Sequence, residues 1–120
     1  MKNFTDIVQS KQLAKFLPLE SADMCYIQDL LAGCKYGDYK PYIGDLIPAY
    51  GQDKIKCWSL TALLDILPYP QLSKDKLGSG KKGWMVSVYP DDCRFDSSWH
   101  DNPVDACYEM IELLHQQKLL

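Results

Sequence analysis

Over residues 4–17 the apolar positions Phe4, Ile7, Val8, Ala14 and Leu17 fall near one side of a helix, which predicts a first helix there. Asn3 is placed to cap it, Asp6 stands three residues on, where a carboxylate reaches back to the cap, and Pro18 stops it. In residues 23–28, Tyr26 and Ile27 suit a strand, while Leu30 and Leu31 suit a short helix capped by Ser21 and ending at Gly33. The strand is the preferred reading. Over 34–50 the pattern breaks into Gly-Asp and proline turns, with room for a short edge strand near Tyr42, and 54–58 can form another short strand.

Regular patterning returns at Leu60, Leu63, Leu64 and Leu67. Their i, i+3, i+4, i+7 spacing predicts a core-facing helix capped by Ser59 and ended by Pro68 and Pro70. Residues 71–83 read as a polar loop. Residues 84–89, Trp-Met-Val-Ser-Val-Tyr, are nearly continuous in apolar character and predict a central strand. Pro90, Asp91 and Asp92 make a turn, and 94–99 can return as the second arm of a hairpin. The last helix has Asn102 as cap, Pro103 at its first position and Asp105 at its third, where a carboxylate favours the helix dipole. Val104, Cys107, Tyr108, Ile111, Leu114 and His115 form its apolar face, widened by Ala106, Met110 and Leu113. No βαβ repetition occurs. The expected architecture is α+β, a small antiparallel sheet of about three to four strands with roughly three helices packed mainly on one face.

A chain of 120 residues buries roughly two thirds of its unfolded surface, so one domain over 1–120 can hold a core without metal or disulfide staples. The charges are unusual in kind: 13 Asp against 3 Glu, and 12 Lys against the single Arg94. Aspartate serves both turns and catalytic sites, so its excess alone decides nothing. Net charge is −3, which argues against wholesale attraction to nucleic acid or anionic membranes. The balance is uneven, since residues 91–120 carry 7 acids and 2 bases. No apolar run approaches the roughly 20 residues of a membrane span, and the N-terminus lacks the apolar stretch of a secretory signal. The five cysteines, at 25, 34, 57, 93 and 107, are odd in number and form no C-x-x-C pair. Free thiols in the cytoplasm are the simplest expectation, with Cys25 and Cys107 structural and Cys34 the most exposed.

Four places carry candidate chemistry. Gly78-Ser79-Gly80-Lys81-Lys82-Gly83 invites a phosphate-loop reading, but a strand rather than a helix follows it, so no nucleotide or other cofactor is expected. Ser97, Ser98, Trp99, His100 and Asp101, with Cys93 and Asp96 nearby, hold nucleophile, base and acid types or possible metal ligands. A triad converges from separated segments, however, and no second histidine has ligand spacing, so an enzyme or metal site using Asp96, His100 and Asp101 is an alternative and not the first choice. His115 reads as a packed or half-exposed helix residue. Tyr36, Tyr39, Tyr42 and Tyr50, with Lys35, Lys40, Lys54 and Lys56, can cover the core, meet a protein partner or stack single-stranded nucleic acid. Packing ranks above a protein interface and the interface above nucleic acid, because Asp38, Asp45 and Asp53 dilute the positive charge.

Two stretches also resemble known sequences. One is Trp58-Ser59-Leu60 with Leu63-Leu64 and Leu67-Pro68; the other is Asn102-Pro103-Val104-Asp105-Ala106-Cys107-Tyr108-Glu109-Met110-Ile111 running to Leu114-His115. With Ser21-Ala22-Asp23-Met24 upstream, they resemble small uncharacterised proteins of prophages and mobile elements of gut bacteria, over about half the chain. The resemblance implies a cytoplasmic accessory protein and supplies no catalytic residues. The leading expectation is a non-enzymatic binding or adaptor module with a protein partner. Nucleic acid ranks second as partner, no membrane is expected, and the oligomeric state is open.

Overall fold

A computed structural model of the protein describes residues 1–28, 39–47, 53–76 and 82–120. The chain opens with an extended segment rather than a helix. Thr5 N–H donates to the Trp58 carbonyl (2.9 Å), and Leu60 N–H donates to the Asn3 carbonyl (3.0 Å). Because residues 3–5 are paired along 58–60, Asn3 cannot cap the first helix. Helix α1 (Ile7–Leu13) starts later, at Asp6, whose carboxylate accepts from Gln9 N–H (2.7 Å) while the Gln9 side chain accepts from Asp6 N–H (3.1 Å). This shift rotates the buried face. Ser10, Leu13 and Leu17 point inward, whereas Val8 and Ala14, expected on the apolar side, are exposed.

Two three-stranded antiparallel sheets replace the single sheet of three to four strands expected from the sequence. In the first, β1 (Met24–Gln28) lies between β2 (Tyr39–Ile43) and β3 (Lys54–Cys57). The strand reading of 23–28 therefore holds, as does the edge strand at Tyr42, and the short strand expected at 54–58 is found at 54–57. In the second sheet, β5 (Lys82–Val88) lies between β4 (Gln71–Lys76) and β6 (Phe95–Asp96). Strand β4 corrects the reading of 71–83 as a loop. With Leu72 as its one apolar residue, it shows no strand pattern of its own. It pairs with β5 from Gln71–Ser87 to Lys76–Lys82, and Lys74 sets its ammonium 5.1 Å over the Trp84 ring. The glycine-rich stretch at 78–81 lies outside the described residues.

Helix α2 (Leu60–Ile66) is capped by Ser59, and helix α3 (Pro103–Gln116) by Asn102, as expected. Leu13 and Leu17, Trp58, Ala62 and Leu63 of α2, Val86 and Val88 of β5, and the inner face of α3 build the main core. The first sheet stands beside that core rather than within it. The radius of gyration is 16.1 Å, against about 14 Å for a compact chain of this length.

Among the described residues, left-handed backbone occurs at a few places. Lys118 (φ 59°) sits where a glycine usually ends a helix, with Lys118 N–H on the His115 carbonyl (3.0 Å) and Leu119 N–H on the Leu114 carbonyl (2.9 Å). Lys118→Gly should therefore raise the unfolding free energy by up to about 1 kcal/mol, read as a higher urea midpoint at unchanged slope. Asp91 (φ 49°) and Asp92 (φ 62°) form a two-residue hairpin turn between β5 and β6, closed by Cys93 N–H on the Pro90 carbonyl (3.2 Å).

Candidate functional site

The region at 93–101 is held as structure. From Ser87–Asp96 to the Trp84–His100 bridge the partner strand advances four residues against three on β5, so a bulge lies at 97–99. Ser97 mends the ladder there, since its Oγ accepts Val86 N–H (3.0 Å) and its own N–H donates to the Val86 carbonyl (2.9 Å). Glu109 of α3 clamps the bulge. It accepts from Ser98 N–H (2.7 Å) and Ser98 Oγ (2.9 Å), and its Oε2 lies 3.1 Å from His100 Nε2.

This arrangement places a carboxylate between a hydroxyl and an imidazole. A nucleophilic triad needs the imidazole between the other two. Burial pushes the Glu109 carboxyl up, but the hydrogen bonds from His100 and Ser98 and the charge of His100 outweigh it and hold Glu109 below its ordinary range. It is thus a poor base for Ser98. Asp96 accepts from Ser87 Oγ (2.6 Å) and Arg94 Nε (2.8 Å) on the other face of the sheet from His100, so the structure does not unite Asp96 with His100. These two donors, Ser87 first, lower the Asp96 carboxyl. Asp101 is exposed just before the helix cap. Among the described residues no three His, Cys, Asp or Glu side chains gather as a metal site. Glu109 lies outside the stretch singled out from the sequence, and its spacing on α3 gives no local sign of what it clamps.

His115 stacks on Phe16 with ring centroids 3.9 Å apart and nearly parallel planes. With Gln12, Glu112 and Gln116 they line an open depression of about 210 Å³ between α1 and α3, smaller than typical ligand pockets of roughly 300–1,000 Å³.

The tyrosine segment is different in kind. Tyr36, Tyr50 and Lys35 lie outside the described residues; Tyr39, Lys40 and Tyr42 are on β2. Register puts Tyr42 and Lys40 opposite Cys25 and Ile27, and Tyr39 opposite Gln28, so the two tyrosines face opposite sides of the sheet. The Tyr39 hydroxyl donates to Asp53 (3.2 Å). Asp45 pairs with both Lys54 and Lys56, which lie on the Tyr42 side, and Lys56 Nζ also reaches the Leu19 carbonyl (3.3 Å). The chain leaving β2 therefore crosses the sheet on this side, where Cys25 is fully buried. The crossing begins at Gly44 (φ 91°), a conformation open to glycine, with Gly44 N–H on the Asp23 carbonyl (2.8 Å). The Asp23 side chain in turn accepts from Ser59 N–H (2.9 Å) and Ser59 Oγ, a role the sequence did not assign.

The surface so formed is apolar and open. Ile43 is 85% exposed and Ile47 94%, with Tyr42 and Leu46 also exposed. Residues 40–43 of β2 are all exposed. The hydrogen bonds Gly44–Asp23 and Gln28–Asp53 (3.0 Å) fix the alternation along β1. Tyr42 and Lys40 turn their backbone groups toward β1, while Tyr39, Pro41 and Ile43 turn theirs outward. The missing N–H of Pro41 therefore faces the free edge, a position that discourages strand addition.

Cys25, Cys57 and Cys107 are buried free thiols and Cys93 is exposed, while Cys34 lies outside the described residues. Burial pushes Cys57 and Cys107 up to about 12, so neither is poised as a nucleophile. Comparison with protein-family models, with curated proteins and with solved structures finds no match to this chain. No helix among the described residues is long and apolar enough to cross a membrane.

Proposed function

We propose that the protein is a non-enzymatic binding module that engages a protein partner through β2 and the crossing at 44–47. The observation that carries this reading is the exposure of Ile43 and Ile47 beside Tyr42 and Leu46, at the end of a strand whose residues 40–43 are all exposed. Aliphatic side chains left in water forgo roughly 1.5–3 kcal/mol each of burial free energy, and interface cores recover it. Pro41 favours contact through side chains over strand addition. The charges beside the surface are paired within it, Asp45 with Lys54 and Lys56, which suits a protein partner better than a polyanion. A reducing cytoplasm suits the buried free thiols.

The test is a photo-cross-linking residue at position 47 in the native host, with one at Lys11 on α1 as control. A discrete protein adduct from position 47 that vanishes in the Ile43→Asp background is expected. That substitution should change unfolding free energy by no more than about 0.5 kcal/mol, because Ile43 is exposed. Equal adducts from both positions, or none from 47, would defeat the reading.

A further inference from the structure

Strand β4 is an edge of the second sheet, and among the described residues no other strand pairs with its outer side. The Trp84–His100 bonds turn Trp84 toward β6, so Gly83, Met85 and Ser87 face β4 and meet Asp75, Ser73 and Gln71 there. Leu72 and Lys74 therefore present their backbone N–H and C=O groups outward. Such a row is a template for a further strand unless a proline, a bulge or a projecting charge blocks it. The free edge of β2 is blocked by Pro41. β4 contains no proline, and its register with β5 runs without a bulge from Gln71 to Lys76. Its lysine does not project over the edge either. The Lys74 ammonium is drawn back over the Trp84 ring on the neighbouring strand, 5.1 Å from the centroid. Leu72 beside it is only half-buried.

We infer that β4 pairs with the β4 of a second copy of this chain, antiparallel about a two-fold axis at Ser73, which joins the second sheets of the two copies edge to edge. Register selects both the partner and the axis. Only the even-numbered positions bond outward, so the axis must lie at a residue and not between two. At Lys74 it sets lysine against lysine, and at Asp75 aspartate against aspartate, and like charges directly opposite repel. At Leu72 it sets Lys74 against Pro70, which has no N–H to return. At Ser73 the conflicts vanish. Leu72 exchanges both backbone bonds with Lys74 of the second copy, Gln71 lies across from Asp75, and the stem of the lysine covers the leucine opposite. An edge that complements itself in ladder and in charge fits its own copy, and the two-fold makes each contact twice. This edge is separate from β2, and neither reading depends on the other.

The experiment has two arms, both on the whole chain. Sedimentation equilibrium from micromolar to millimolar protein should show a monomer–dimer equilibrium. Ser73→Lys places two ammonium groups across the axis and should weaken the dimer by roughly fivefold at low salt and less at high salt. The second arm reads the register. The pair on the axis is not hydrogen-bonded, and such pairs hold their Cα atoms about 4.5 Å apart, within reach of a disulfide. In a background with Cys34→Ser and Cys93→Ser, Ser73→Cys should give a disulfide-linked dimer under mild oxidation. Gln71→Cys, which the axis sets opposite Asp75 and far from its own copy, should not. Circular dichroism confirms that each variant is folded. The inference is overturned if the protein is monomeric at millimolar concentration, or if Gln71→Cys links as fast as Ser73→Cys. It is equally overturned if Ser73→Lys leaves the dimer unchanged while Ile43→Asp abolishes it, which would put the contact on β2.

Discussion

Replacing Trp58 with alanine is expected to cost about 3–5 kcal/mol, a large part of the roughly 5–15 kcal/mol that holds a domain together. Trp58 is fully buried and joins the two halves of the fold. Its indole belongs to the main core, its backbone exchanges hydrogen bonds with Thr5, and its Nε1–H donates to Ser21 Oγ (2.9 Å) at the start of the first sheet. Truncation would open a cavity at that junction and leave Ser21 without its donor. Urea unfolding followed by far-ultraviolet circular dichroism measures the loss. Trp58→Phe, which keeps most of the packing and loses the indole hydrogen bond, should cost about 1–2 kcal/mol. Equal stability of the alanine variant and the parent would contradict the placement of Trp58 in the core.

A second large effect is expected at Asp105. Its Oδ1 accepts from Lys2 Nζ (2.8 Å) and Gln9 Nε2 (2.8 Å), and its Oδ2 from Asn102 Nδ2 (2.9 Å). Burial raises the carboxyl, but those three hydrogen bonds and the Lys2 charge outweigh it, so Asp105 titrates below its ordinary value of 3.8. A carboxyl lowered by folding adds stability above its unfolded value and loses it as pH falls through the folded one. Asp105→Asn should therefore cost about 1–2 kcal/mol at neutral pH. The gap from the parent should then close as pH drops below the ordinary value of 3.8. Urea midpoints at constant ionic strength across pH 7 to 3 would show it, and a gap that stayed constant across that range would refute the assignment.

Where a local signal and the long-range structure agreed, the sequence sufficed. Asn102, Pro103 and Asp105 stand in the positions their capping chemistry demands, Ser59 caps α2, and the apolar run at 84–88 is a central strand. The misses have one cause, a partner outside the stretch being read. Asn3 has the right chemistry for a cap but gives its carbonyl to Leu60, and Asp6 takes the role. Gln71–Lys76 has a loop's composition and becomes a strand because β5 supplies its ladder. The candidate sites follow the same rule. Ser98 and His100 drew attention by their types, yet their arrangement is set by Glu109, eleven and nine residues away. Asp23 and Asp96 likewise take partners on other elements, Ser59 for the first and Ser87 of β5 for the second. The apolar crossing after β2 could not be seen as exposed from its sequence, because Leu46 and Ile47 read like buried residues until the sheet beneath them is placed.

The contact between Lys2 and Asp105 spans 103 residues, nearly the whole chain. A link of that span gains nothing until the helix cap at Asn102 and the pairing of residues 3–5 with 58–60 have both brought its ends together. The cost of closing so long a loop makes it an expected late event of folding. If it forms after the barrier, Lys2→Ala should speed unfolding and leave the folding rate unchanged, so that the first residues of the chain serve as a latch on opening.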